Sequence, residues 1–242
     1  MMESRLSFSQ ESLWLLEQLE PGTARHHVSK AWTIHGPLDA EALRRSFRHV
    51  CERHSALRTV FAERSGVPEA GLLQAPPELD EQDWRALSAD ERGRRLMEGC
   101  NRPFDLAAEA PVRMLMTRVS EEEHSLLLVF HHIAVDGWSL GVFYSEVAEC
   151  YRAFRRGEEP KLEPVRVQFH EHAARERQRL DRAELDRLAG PWVERLTGAP
   201  QLLLPVSASQ EPRGESGGGL VGARIERTLA DGVIALARAN RT

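Results

Sequence analysis

The sequence predicts an α/β fold of the α+β kind. Strand-like and helix-like periodicities alternate along it, two strands share a hairpin pattern, and one apolar run reads as a buried strand. Val28 to Ile34 alternates partly and stops at Gly36-Pro37, the pattern of a strand ended by a turn. Leu43, Phe47, Val50 and His54 then recur at helical spacing, with Asp39 placed to cap the helix start. Leu57 to Ala62 reads as a strand. Residues 65 to 82 are rich in glycine, proline and acid, and suit a loop with at most a short strand. Ser88-Ala89-Asp90-Glu91 has the form of a capping box and opens a helix ending near Cys100. Val112 to Val119 and His124 to Phe130 are strands around the acidic turn Glu121-Glu122-Glu123, which makes a hairpin.

Leu140, Phe143, Val147, Tyr151 and Phe154 mark one face of a helix running to about Arg156. Gly157 and Pro160 to Pro164 punctuate the chain before two strongly charged helical stretches, 168 to 180 and 183 to 196. Ser207 to Gly219 is too rich in Gly, Ser and Pro for regular structure. Leu220 to Leu229 reads as a strand and Asp231 to Ala239 as a helix. No internal repeat is visible.

Composition narrows the function. A chain of 242 residues has ample core for one large domain or two lobes. The formal charge of -5 and the lack of a basic stripe argue against nucleic acid. Arg44, Arg45 and Arg48 cluster on one predicted helix and read as a solvated face. Three widely spaced cysteines fit a reducing cytoplasm better than a disulfide scaffold. No long apolar run or signal-like start exists, so the expectation is a cytoplasmic protein without a membrane partner.

The most informative stretch is Phe130-His131-His132-Ile133-Ala134-Val135-Asp136-Gly137-Trp138-Ser139. A buried strand delivers two imidazoles to its own carboxyl end, where the chain turns into a new helix. Neighbouring strand residues face opposite ways, so one histidine at most addresses a given cavity. Imidazole exchanges protons near neutral pH, which marks a possible catalytic edge. A structural histidine and a plain Asp-Gly turn explain the spacing as well. A metal site fits less well, because adjacent strand residues diverge and Cys51, Cys100 and Cys150 stand at no short ligand spacing.

The pattern His-His-x-x-x-Asp-Gly-Trp-Ser resembles the signature of condensation domains of nonribosomal peptide synthetases, relatives of chloramphenicol acetyltransferase. Two further motifs stand in the family's order. Ser7-Phe8-Ser9-Gln10-Glu11-Ser12-Leu13-Trp14 is similar to the opening motif, and Arg53-His54-Ser55-Ala56-Leu57-Arg58-Thr59-Val60-Phe61 to the second. Gly36-Pro37-Leu38 and Pro103-Phe104-Asp105-Leu106 add lesser matches. Gly137-Trp138-Ser139-Leu140 has the condensation form rather than the epimerisation form, and a heterocyclisation domain would carry aspartate at His131. The opening motif and the Gly-Pro-Leu-Asp segment lean toward the subtype that joins two L-configured residues.

The resemblance implies a chloramphenicol acetyltransferase-like lobe with a mixed sheet flanked by helices. It implies amide formation between an acyl thioester on a donor peptidyl carrier protein and an aminoacyl group on an acceptor carrier, among neighbouring synthetase domains. Both substrates ride on carrier phosphopantetheine, and no cofactor of the domain itself is expected. A thioester is already activated, so neither ATP nor a metal is called for. Positioning and handling of proton and oxyanion set the barrier. The catalytic set is then His132 beside the amine, His131 packing or hydrogen-bonding beneath it, Asp136, and Gly137 with its amide toward the reacting carbonyl. Arg58, Trp138 and Ser139 support the site: Arg58 pairing a buried Asp136, Trp138 as a core anchor, Ser139 capping the next helix.

Two departures stand out. The family often has Tyr-Asn where this chain reads His26-His27, here expected on a solvated loop. The fourth motif is represented only by the degenerate Val167-Gln168-Phe169-His170-Glu171-His172. Family domains run nearly twice this length as two lobes. Residues 1–175 are therefore expected to be the N-terminal lobe, and 176–242 connecting helices with the start of a second lobe. On that expectation the chain is a fragment with little activity alone, nothing precedes Met1, and a non-catalytic docking module is the other class.

Overall fold

The computed structural model describes residues 4–200, 202 and 223–241. It divides into two units, 1–195 and 196–242. The first opens with the short strand β1 (Ser4–Arg5), then α1 (Phe8–Leu19), β2 (His27–His35) and α2 (Ala40–Arg53). There follow β3 (Thr59–Arg64), β4 (Val67–Leu72), β5 (Leu79–Asp83), α3 (Ala89–Asn101), β6 (Val112–Arg118) and β7 (Glu123–His131). The helices α4 (Gly137–Arg155), α5 (Phe169–Arg179) and α6 (Arg182–Leu196) come next.

The main sheet runs β2-β7-β6-β5, antiparallel except for the parallel β5–β6 pair. A second antiparallel sheet has the order β1-β4-β3. This is the expected mixed sheet with flanking helices. Alternation along β7 divides the core. Leu128 and Phe130 join Val112, Met114, Phe47, Val50 and Phe143 beneath α2 and α4. Leu127 and Val129 join Leu6, Trp14, Phe61, Phe104 and Ile133 on the other face. There α3 lies close on β7: a methyl group at Gly99 would stand 2.9 Å from Leu127 Cδ2.

Local chemistry sets the boundaries. The Asp39 carboxylate accepts from the Ala42 amide at 2.9 Å, and the Ser88 hydroxyl from Glu91 at 3.2 Å, capping α2 and α3 as expected. Gly36 ends β2 at φ +95°, a left-handed conformation open to glycine.

Two expectations of secondary structure fail in this unit. Residues 65 to 82 hold two strands, β4 and β5, not a loop with at most one. Strand β5 is acidic and lies at the sheet's edge, where pairing with β6 overrides its poor propensity. Leu57 and Arg58 belong to a 3₁₀ turn, Ser55–Arg58, before β3 begins.

In the second unit, α7 (Arg227–Ala239) leaves Leu229, Val233 and Leu236 exposed. The strand expected over Leu220 to Leu229 does not form in its described part: 223–226 are irregular and Arg227 opens the helix. The expected loop Ser207 to Gly219 lies outside the described residues. No helix among the described residues is long and apolar enough to cross a membrane.

Candidate active site

The two motif histidines part as strand alternation requires. His131 is buried at 1 % exposure, while His132 is exposed. Four successive backbone amides of this turn have partners. His131 N–H donates to Pro111 O at 3.0 Å, His132 to His26 O at 2.8 Å, and Ala134 to His131 O at 3.1 Å. The Ile133 amide donates to the His131 Nδ1 at 3.1 Å.

Two side chains of α1 close over the turn. Gln10 completes the capping box of α1, accepting from the Ser7 amide at 3.2 Å through Oε1. Its Nε2 donates to Ile133 O at 3.4 Å, so one opening-motif side chain serves the helix start and the histidine turn together. On the same buried face of α1, seven residues on, Glu17 places Oε2 3.4 Å from His131 Nε2 and 3.5 Å from His26 Nδ1.

The strand register explains why His26 is there. His27 stands opposite His131 in the β2–β7 ladder, and their rings lie 6.1 Å apart. His27 Nδ1 donates to Cys100 O at 2.8 Å, and its ring meets Phe104 edge-on. These histidines therefore line the site rather than a solvated loop. Burial holds His27 below the usual imidazole range and pushes His131 down to about 4, against the pull of Glu17.

Asp136 is exposed and does not meet Arg58, contrary to expectation. It is the N-cap of α4, accepting from the Ser139 amide at 2.8 Å, while its own amide donates to Ser139 Oγ at 2.7 Å. Ser139 is thus the reciprocal partner in the box, not the cap. The Ser139 amide and hydroxyl hold the Asp136 carboxyl below the usual carboxylate range. Arg58 instead donates to three carbonyls, of Cys51, Leu73 and Glu52, tying the end of α2 to the segment after β4.

Trp138 is 85 % exposed and is no core anchor. It lines an apolar hollow of about 410 Å³ with Val142, Val165, Val167 and Phe169. Gly137 has no left-handed φ, and a methyl group there would meet nothing within 4 Å. The fold itself does not demand glycine at this position.

Motif reading passed over Glu17, and gave Gln10 and His26 no role at the site. A glutamate on the apolar face of α1, in step with Gln10 and Trp14, was the available signal. Glu17, His26 and His131 place ligand-type atoms within 4.8 Å of one another. The Ile133 amide at Nδ1, however, puts the neutral ring's proton on Nε2, where His131 is a donor to Glu17 and offers no lone pair to a metal.

Comparison with known proteins agrees with this architecture. The sequence pattern of the family described as Condensation domain matches residues 2–242. Phosphinothricin tripeptide synthetase PhsC of Streptomyces viridochromogenes is 36% identical over 203 residues, covering 82% of this chain and 19% of that protein. Malpibaldin synthetase of Mortierella alpina is 31% identical over 238 residues, covering 96% of this chain and 4% of that protein. Among solved structures, the X-domain in complex with OxyB from teicoplanin biosynthesis superposes with TM-score 0.73 at 30% identity, over 85% of this chain and 46% of that one. The starter condensation domain of rhizomide synthetase RzmA gives TM-score 0.73 at 17% identity over 83% of this chain and 49% of that one, a likeness of fold. The chain thus spans under a fifth of these curated relatives and about half of the solved domains. With its histidine turn, mixed sheet and match from end to end, the chain belongs to the condensation-domain family.

Proposed function

We propose that this chain is the histidine-bearing lobe, residues 1–175, and adjoining segment, 176–242, of a nonribosomal peptide synthetase condensation domain. The parent polypeptide joins an acyl or peptidyl thioester on a donor carrier protein to an aminoacyl group on an acceptor carrier. The product is an amide, or an ester where the acceptor is a hydroxyl. Both substrates arrive on carrier phosphopantetheine. Cys51, Cys100 and Cys150 are free thiols, in keeping with work in the cytoplasm.

The observation that carries this reading is the exposed His132 imidazole on a turn with four successive amides bonded, a rigid mount of the kind catalysis needs. His132 orients the amine and accepts its proton as the carbon–nitrogen bond forms and the thiolate leaves. The Gly137 amide faces the developing oxyanion, and the absence of a side chain leaves room for the thioester. His131, neutral and enclosed, holds the turn. Asp136 acts through the helix start and does not touch substrate. Single-turnover condensation, followed by intact mass of the carriers, tests this on the chain alone and with a complete second lobe. Product that depends on His132 supports it, and loss-free turnover in His132→Ala contradicts it.

A second reading is a docking module without chemistry. It is favoured by the 30% identity to an X-domain that was solved in complex with OxyB. Carrier or enzyme binding without product, for every donor and acceptor pair, supports that reading over the first.

A further inference from the structure

We infer that Glu17, outside all three motif cores, is a positioning residue: it keeps the proton of His131 on Nε2 and so fixes the turn that displays His132. Its effect on rate rests on the proposed condensation activity, while the proton's location does not.

Glu17 sits in the last turn of α1 with its side chain 8% exposed. A buried carboxylate normally takes a guanidinium or ammonium partner. Here, among the described residues, the two nitrogens beside it both belong to imidazoles, His131 Nε2 and His26 Nδ1. His131 is constrained from both sides. Its Nδ1 receives the Ile133 N–H at 3.1 Å, which requires a lone pair there, so its proton must sit on Nε2, facing Glu17 at 3.4 Å. The ring thus bridges the Glu17 carboxylate to the backbone one residue beyond His132. The other side of the turn is held by the His26 carbonyl and the Gln10 amide.

Without the carboxylate, the Nε2–H is buried with no acceptor. Its alternative is to move the proton to Nδ1, where it would confront the Ile133 N–H. Either outcome loosens the peptide that carries His132. The same three side chains would be read as a metal site from distances alone, so the two readings make opposite statements about Nε2.

Long-range proton–nitrogen correlation on the ¹⁵N-histidine-labelled chain, with His131→Asn for assignment, reports the ring directly. The expected result is a protonated Nε2 and a bare Nδ1 for His131 at neutral pH, unchanged by added zinc. A proton on Nδ1, or stoichiometric zinc uptake that moves both rings, overturns the inference. In the polypeptide with a complete second lobe, Glu17→Ala should lower kcat by about ten- to a hundredfold with KM little changed. Glu17→Gln, whose amide oxygen still accepts from Nε2–H, should recover most of that loss and retain the wild-type ring spectrum. Wild-type kcat in Glu17→Ala also overturns it. A wild-type polypeptide that makes no product contradicts the proposed function instead, and the ring spectrum tells the two failures apart.

Discussion

Two glutamates gather basic side chains in this lobe, the half-buried Glu146 and the buried Glu17, and they do so differently. Glu146 of α4 receives Arg53 Nε at 3.2 Å on both oxygens and lies 2.6 Å from His54 Nε2. It binds α4 to the end of α2, and Arg53 reaches on to Glu163 O. Among the described residues, Glu17 receives imidazoles only. A guanidinium is charged at every working pH, so the first cluster is a permanent brace. The second depends on where single protons sit, and it lies against the turn that carries His132. The Arg-His pair of the second motif thus belongs to the frame, while the histidine motif is the candidate site mounted on it.

The comparison breaks most sharply at the brace. Glu146→Ala leaves Arg53 and His54 half-buried without their carboxylate and should cost about 2 to 3 kcal/mol by denaturant titration. A loss under about 1 kcal/mol would mean that the cluster is ornamental.

Acid should act on the other cluster. His131 has a pKa of about 4 in the fold against 6.5 ordinarily, so it stays neutral while the unfolded chain takes up a proton. Its contribution is therefore complete above pH 6.5 and lost as the pH falls toward 4, by up to about 3 kcal/mol. His27 shifts the same way. His131→Asn should flatten the dependence of stability on pH across that window, and an unchanged slope would contradict the burial argument.

Smaller effects sharpen the division. Asp136→Ala removes a helix cap and should cost about 1 kcal/mol, not the collapse expected of a buried ion pair. Trp138→Ala should change melting stability by less than about 0.5 kcal/mol, since the ring is exposed, yet alter KM if substrate uses the hollow it lines.

Much of the frame was legible in local pattern. Asp39 and Ser88 announced their helices, the apolar stripe of α4 was read in phase, and the acidic turn marked the β6–β7 hairpin. What escaped depends on partners distant in sequence. The acidic Leu79–Asp83 segment is a strand only because β6 pairs with it. His26 and His27 looked like loop residues until the register set them opposite the end of β7. At the site, adjacent histidines foretold one buried and one exposed ring. The Arg58–Asp136 pair failed because both groups found nearer partners: Arg58 the carbonyls around its own turn, Asp136 the Ser139 amide three residues on. Trp138 misled because its size argued for burial, while its place in the first turn of α4 faces it outward.

The central claim is that His132, held out by an enclosed and neutral His131, carries the condensation step. Single-turnover product formation by the polypeptide with a complete second lobe should fall about a hundredfold or more in His132→Ala, with the circular dichroism spectrum unchanged. Equal product from wild type and His132→Ala would contradict the account.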